Sequence, residues 1–191
     1  MSDKLFLTSD QLLRDSYELG AKILESGFEP TFILGVWRGG TPVGIAVQEL
    51  LKYCGVNSDH IAIRTSSYRG IDDRSSKVRV HGLNYVVKNI NAEDSLLIVD
   101  DVHDSGLSIK ELIRQIRKQC RKNSPREIRF ATVYYKPARS RVNFEPDYYI
   151  HETDEWLVFP HELEGLTREE LVAHKPDIAG IRELLLKHTE A

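Results

Sequence analysis

Cysteine is nearly missing from this chain, with only Cys54 and Cys120 among 191 residues. The two are far apart, form no Cys-x-x-Cys and have no His pair nearby, which excludes a disulfide framework or a zinc site as the basis of the fold. Positive charge is not in excess either. The 26 Lys plus Arg against 29 Asp plus Glu leave a formal charge of -3, so no overall field favours a polyanion and no nucleic-acid partner is expected. Any anion site must be local. No apolar run reaches 18 residues, and the opening MSDKLFLTSDQLLRDS puts acids and a lysine where a secretory signal needs an apolar stretch. A cytoplasmic protein without membrane contact is expected. Internal repeats, low-complexity tracts and an independent linker are also absent.

What is present is enough apolar residue, 41%, for a real core in one domain spanning 1–191. After Ser9 and Asp10, either of which could cap a helix, Leu13, Tyr17, Ala21 and Leu24 recur at helical spacing until Gly27 and Pro30. Phe32 to Val36 is a short apolar run, followed by Trp37-Arg38-Gly39-Gly40-Thr41-Pro42 and then by Ile45, Ala46, Leu50 and Leu51 at helical spacing. The same order of strand, turn and helix returns at Leu96 to Val99, Asp100 to Gly106, and Ile109, Leu112, Ile113 and Ile116. A further strand is expected at Ile128 to Tyr134. Strands apolar along their whole length and separated by helices imply a mostly parallel sheet covered on both faces, a doubly wound α/β fold. Between these units Ile61 to Ile63 reads as a strand. The polar stretch Arg64 to Lys77 after it reads as a mobile lid or a solvated hairpin. The core is expected over about 30–140. A small hood is expected from about 145–191 together with the N-terminal helix, with a capping box at Thr167 and Glu170.

The segment from Leu96 to Ser108 is the most informative. In open parallel sheets ligands gather beyond the carboxyl ends of the strands, so Asp100, Asp101 and Asp104 would stand where a substrate can reach them. Three carboxylates within five residues repel one another, and folding alone offers no reason for that cost. They are suited to binding hydroxyls, a metal ion or a proton. Directly after them Ser105, Gly106, Leu107 and Ser108 open a helix, whose unpaired N–H groups and positive dipole end make a monophosphate pocket. A phosphorylated pentose explains both halves.

This stretch, Val99-Asp-Asp-Val-His-Asp-Ser-Gly-Leu-Ser108, resembles the ribose-phosphate signature of the type I phosphoribosyltransferases, with Ser105 and Ser108 where Thr is commoner. The resemblance implies a parallel-sheet core with a hood, and 5-phosphoribosyl 1-diphosphate (PRPP) as substrate. It places Asp100 and Asp101 on the ribose hydroxyls, directly or around Mg²⁺, and makes Asp104 the catalytic acid/base candidate near N7 of the base.

Gly35 to Thr41 has nearly the glycine spacing of a Walker loop, but no Lys-Ser/Thr pair follows Gly40, which disfavours ATP. The segment resembles the family's diphosphate loop, with Arg38 and Gly39 on the leaving group and a cis peptide implied between Trp37 and Arg38. Ser67 and Tyr68 resemble the family's lid. Near the end of the chain Lys136, Trp156 and Leu157 resemble the base site of the hypoxanthine, guanine and xanthine enzymes: a lysine for O6, an aromatic ring to stack, and backbone for the ring edge. Glu162, usually Asp in that family, would hold a water on a second Mg²⁺. The resemblance spans about 30–162 and implies a homo-oligomer, dimer or tetramer. Two other readings stay open. One is a nucleotide-sensing regulatory protein on the same fold. The other is a Mg²⁺-dependent phosphohydrolase on Asp100 and Asp101, although the Asp-x-Asp spacing of common phosphatases is absent.

Overall fold

The structure is a computed structural model, and it describes residues 4–69 and 76–188. In chain order its main elements are β1 (Lys4–Phe6), α1 (Ser9–Glu25), β2 (Phe32–Trp37), α2 (Gly40–Tyr53), β3 (Asp59–Arg69), β4 (Ser76–His81) and α3 (Asn84–Asn89). There follow β5 (Ser95–His103), α4 (Leu107–Cys120), β6 (Glu127–Tyr135), β7 (Tyr148–Glu152), β8 (Trp156–Val158), α5 (Arg168–His174) and α6 (Arg182–His188). The chain divides into two compact units, 10–154 and a second one made of the N-terminal residues to Ser9 with 155–191.

The larger unit holds a six-stranded sheet in the order β4-β3-β2-β5-β6-β7. Every pairing is parallel except β3 with β4. The doubly wound, mostly parallel sheet is therefore present. Strand side chains alternate between faces, and both faces are buried. Leu34, Val36, Leu96, Ile98 and Phe130 pack with Ile109, Leu112 and Ile116 of α4 in one cluster. On the other face Ile33, Leu97 and Val99 are equally buried. There α2 lies so close to β2 that a Cβ on Gly44 would meet the Gly35 Cα at 3.4 Å. Ile98 is fully buried in β5, the strand that carries the acids. Ile98→Ala is expected to lower unfolding stability by about 2–5 kcal/mol in a denaturant titration, through lost burial and the cavity left behind.

Three expectations change in detail. The periodicity of Leu13 and Tyr17 finds the helix but not its buried face, because both residues are exposed while Leu12, Asp15, Ser16, Leu19 and Ile23 are buried. Two of those are polar and have partners: the Ser16 hydroxyl donates to the Leu12 carbonyl at 2.6 Å within the helix, and Asp15 pairs with His151 of β7 at 2.9 Å. The polar stretch after Ile63 is a hairpin, with Arg64 to Arg69 paired antiparallel to Ser76 to His81. Such a hairpin can be solvated, so apolar patterning is not needed to form it. Residues 70–75 of the expected lid lie outside the described residues. The boundary of the smaller unit moves as well. β7 pairs with β6 and so belongs to the sheet unit, and α1 is held there by Lys22 donating to the Tyr149 carbonyl and Ser26 hydrogen-bonding Tyr148. The smaller unit takes β1 instead of α1, because β1 pairs with β8 in a separate two-stranded parallel sheet.

Candidate active site

Strands β2 and β5 are neighbours in register from Phe32 with Leu96 to Gly35 with Val99. The turns after them therefore leave the same carboxyl edge side by side. The turn after β2 carries the cis peptide between Trp37 and Arg38 and leads through Gly39 into α2, which has no side-chain cap. The two glycines bring this turn against the acids. A Cβ on Gly39 would lie 1.6 Å from Asp101 Oδ2, and one on Gly40 would lie 2.5 Å from the Val99 carbonyl and 2.8 Å from Asp100 Oδ1. Only a residue without a Cβ allows that approach.

Asp100 accepts from the Asp101 N–H at 3.0 Å, and Asp101 accepts from the Val102 N–H at 2.8 Å. Asp101 is buried. Burial first, and then the adjacent Asp101 carboxylate, hold Asp100 well above the ordinary carboxylate range, against the opposing backbone N–H bonds from Asp101 and Gly40. Two crowded carboxylates of this kind are hard oxygen donors. No cluster of three or more His, Cys, Asp or Glu suited to a metal exists among the described residues. That donor set does not cage an ion by itself, but it fits Mg²⁺, which is commonly held by one or two carboxylates together with substrate phosphates and water.

The turn after β5 runs through Asp104 and Ser105 to Gly106, which has φ 72° and precedes the first residue of α4. A side chain at Gly106 would also strike the His103 ring, with Cε1 at 2.7 Å and Nε2 at 2.9 Å. His103 is buried against Phe130, Tyr135 and Phe144. Its two ring nitrogens have no hydrogen-bond partner among the described residues, and burial lowers its pKa, so the ring is the neutral floor of the turn. No side chain caps α4, and the Ser105 hydroxyl reaches the Leu107 N–H only at 3.5 Å. The first-turn amides at Leu107 and Ser108 thus offer a helix N-terminus of 14 residues to an anion.

Lys136 follows β6, and its N–H donates to the His103 carbonyl at 2.9 Å, which fixes it beside the β5 turn. It is buried. That burial lowers its pKa more than Asp104 and Asp154 restore it, with Arg139 adding to the lowering. Arg139, one short helical turn on, ion-pairs with Asp104 at 3.5 Å, both side chains being nearly half exposed. Asp100 and Asp101 at the end of β5, and Asp104, Ser105 to Ser108, Arg38, Gly39 and Lys136 on the three turns and the helix start that adjoin it, are therefore carried by one sheet unit. Gly40 and His103 complete the packing but escape a reading for chemistry. The Gly-Gly pair after a strand signals the first, whereas nothing local signals a buried neutral His.

The other candidates stand elsewhere. Ser67 and Tyr68 pair through their backbones with Val78 and Lys77 in the hairpin. Trp156, Leu157 and Glu162 belong to the smaller unit. There Trp156 is half exposed, Leu157 is buried, and the Glu162 carboxylate accepts from the Phe159 N–H at 3.0 Å.

A parallel sheet whose carboxyl edge offers paired acids, an uncapped helix N-terminus and a glycine turn packed on those acids is an arrangement suited to a phosphorylated, multiply hydroxylated ligand. Comparison with known proteins narrows the class. The family model for the phosphoribosyl transferase domain matches residues 6–164, and the chain belongs to that family. A hypoxanthine-guanine phosphoribosyltransferase of Streptococcus pyogenes serotype M3 is 29% identical over 146 residues, 76% of each chain. Among solved structures, a purine phosphoribosyltransferase from Pyrococcus horikoshii Ot3 superposes with TM-score 0.67 at 28% identity, over 86% of this chain and 97% of its own. The xanthine-guanine-hypoxanthine phosphoribosyltransferase of Helicobacter pylori gives 0.68 at 18% identity, over 90% and 100%, which is a likeness of fold.

Proposed function

We propose that this enzyme transfers the 5-phosphoribosyl group of PRPP to a 6-oxopurine, hypoxanthine, guanine or xanthine, giving the nucleoside monophosphate and diphosphate in purine salvage. The observation that carries the reading is the seating of Gly39 and Gly40 on Asp101 and Asp100. It brings a diphosphate turn and a pentose-phosphate turn to one point of the sheet edge. The names of the relatives support the choice of acceptor.

In this reading the amides at Leu107 and Ser108, with the Ser105 and Ser108 hydroxyls, hold the 5′-phosphate. Asp100 and Asp101 take the ribose hydroxyls and would hold Mg²⁺, which when bound offsets the charge of the diphosphate. Arg38 and the Gly39 amide stabilise the leaving group as the C1′–O bond breaks. The new bond forms from C1′ to a ring nitrogen of the purine, and Asp104 takes the proton released at the base. The resemblance assigns O6 to Lys136, the ring face to Trp156 and the ring edge to the Leu157 backbone. Glu162 would hold a water on a second Mg²⁺. The hairpin segment with Ser67 and Tyr68 closes over the centre and excludes water.

Incubation with PRPP, Mg²⁺ and single purines, following nucleotide and diphosphate, tests the proposal. Equimolar release of both with a 6-oxopurine is expected. Free phosphate alone would indicate hydrolysis, and nucleotide binding without turnover would indicate a sensor.

The lowered pKa of Lys136 sets an alkaline limit. Its ammonium is lost at a lower pH than a lysine's usual 10.5, so the KM for the base is expected to rise as pH climbs through that point while the KM for PRPP stays flat. In Lys136→Gln the base KM is high throughout and this added alkaline rise is gone; an unchanged profile would remove Lys136 from the base site.

A further inference from the structure

Beyond the family match, which ends at residue 164, the chain sends a buried lysine back to the turn that follows the strand bearing the candidate base contacts. Strand β8 pairs with β1, Lys4 beside Trp156 and Leu5 beside Leu157, and the Leu7 N–H extends the pairing to the Val158 carbonyl at 3.0 Å. After Val158 the chain makes a tight turn. The Glu162 N–H donates to the Phe159 carbonyl at 3.0 Å, while the Phe159 N–H donates to the Glu162 carboxylate at 3.0 Å. Onto this turn comes Lys175, 4% exposed, whose Nζ donates to the Phe159 carbonyl at 2.5 Å and the Pro160 carbonyl at 3.4 Å.

Helix α5 delivers that lysine, and it is anchored along its length. Thr167 and Glu170 form the capping box that starts it. The Glu170 carboxylate also accepts from Lys4 Nζ at 2.6 and 2.8 Å, and this partner holds its pKa below the usual range. Near the other end, His174 stacks on Phe6 with ring centroids 4.1 Å apart. On β1, Lys4 is the pairing partner of Trp156 and Phe6 that of Val158. The helix is therefore tied to the same strand that backs the base-reading residues, and its last residue is followed directly by the buried ammonium.

A buried ammonium is a costly way to fill space. What the ammonium adds is direction. It fixes two consecutive carbonyls, and with them the path of the chain immediately after Leu157.

We propose that Lys175 is a positioning residue for the acceptor base: by gripping the Phe159 and Pro160 carbonyls it sets the backbone of Leu157 and the ring of Trp156. This rests on the function proposed above. Lys175→Met keeps the stem and removes the donor. It is expected to raise the KM for the base by about tenfold, the worth of one charged hydrogen bond, with the PRPP KM unchanged. Lys175→Gln, which keeps an uncharged donor, gives an intermediate rise and serves in place of the Met variant should that fail to fold. In parallel, protein labelled with ¹⁵N-tryptophan gives an indole resonance for Trp156, assigned with Trp156→Phe, and this resonance is expected to shift in Lys175→Met. Loss of melting temperature alone, or equal loss toward base and PRPP, would overturn the proposal and leave Lys175 as a structural clamp. An unmodified protein that turns over no purine sinks the functional reading instead. Lys175 is then judged by the Trp156 resonance, where a shift retains the brace and no shift overturns it.

Discussion

Replacing Gly39 by alanine is expected to cut kcat/KM for PRPP by about 10²-fold or more, the scale of a misplacement near 1 Å. The added Cβ would fall 1.6 Å from Asp101 Oδ2 and 2.3 Å from its Cγ. Those are not contacts a flexible side-chain end can relieve, because the Asp101 carboxylate is buried and accepts from the Val102 N–H. Either the turn bearing Arg38 lifts off the acids or Asp101 leaves its place, and both disrupt the grip on the sugar diphosphate. Steady-state kinetics with PRPP varied at saturating base measures the loss, and circular dichroism checks that the sheet is retained. A Gly39→Ala enzyme with unaltered PRPP kinetics would show that this close approach has no part in the reaction.

The Asp100→Asn, Asp101→Asn double substitution should lose activity on a comparable scale, about 10²–10³-fold, while gaining stability. The folded-state pKa of Asp100 lies well above its ordinary 3.8. Keeping it ionised therefore opposes folding at neutral pH, fully above the folded pKa and not at all below the ordinary value. Asn retains a carbonyl oxygen for the Asp101 and Gly40 N–H groups and removes the repulsion. Melts in the presence of a chelator should place the variant above the unmodified protein at pH 7, with the gap closing as pH falls toward 3.8. Equal melting temperatures at pH 7 would mean that the two acids carry no such cost.

The acids were legible in the sequence because three carboxylates before a glycine and two serines have no folding rationale, and the strand before them is apolar throughout. The glycine doublet after another such strand marked a tight turn, but the roles of Arg38 and Gly39, like the cis peptide, came from the resemblance. The hairpin was less so. Its polar residues carry no burial signal, and antiparallel pairing is decided by the partner strand. The buried face of α1 was missed because Leu13, Tyr17 and Leu24 trace a competing apolar stripe beside Leu12, Leu19 and Ile23, and because Ser16 and Asp15 on the buried face are held by hydrogen bonds that involve Leu12 and His151. Arg139 carries no signal of its own, and only the turn after Lys136 brings it to Asp104. Lys175 gave no sign at all, since a lysine in a charged terminal stretch looks like any other.

The parallel pairing of β1 with β8 has an outcome for biosynthesis. A ribosome delivers Lys4 to Phe6 long before Trp156 to Val158, so the early strand waits with an unsatisfied edge while the whole six-stranded sheet is translated. Whatever Trp156 and Leu157 bind, they gain their backing strand only in the last stage of maturation, and an amino-terminal truncation past Phe6 would release them again.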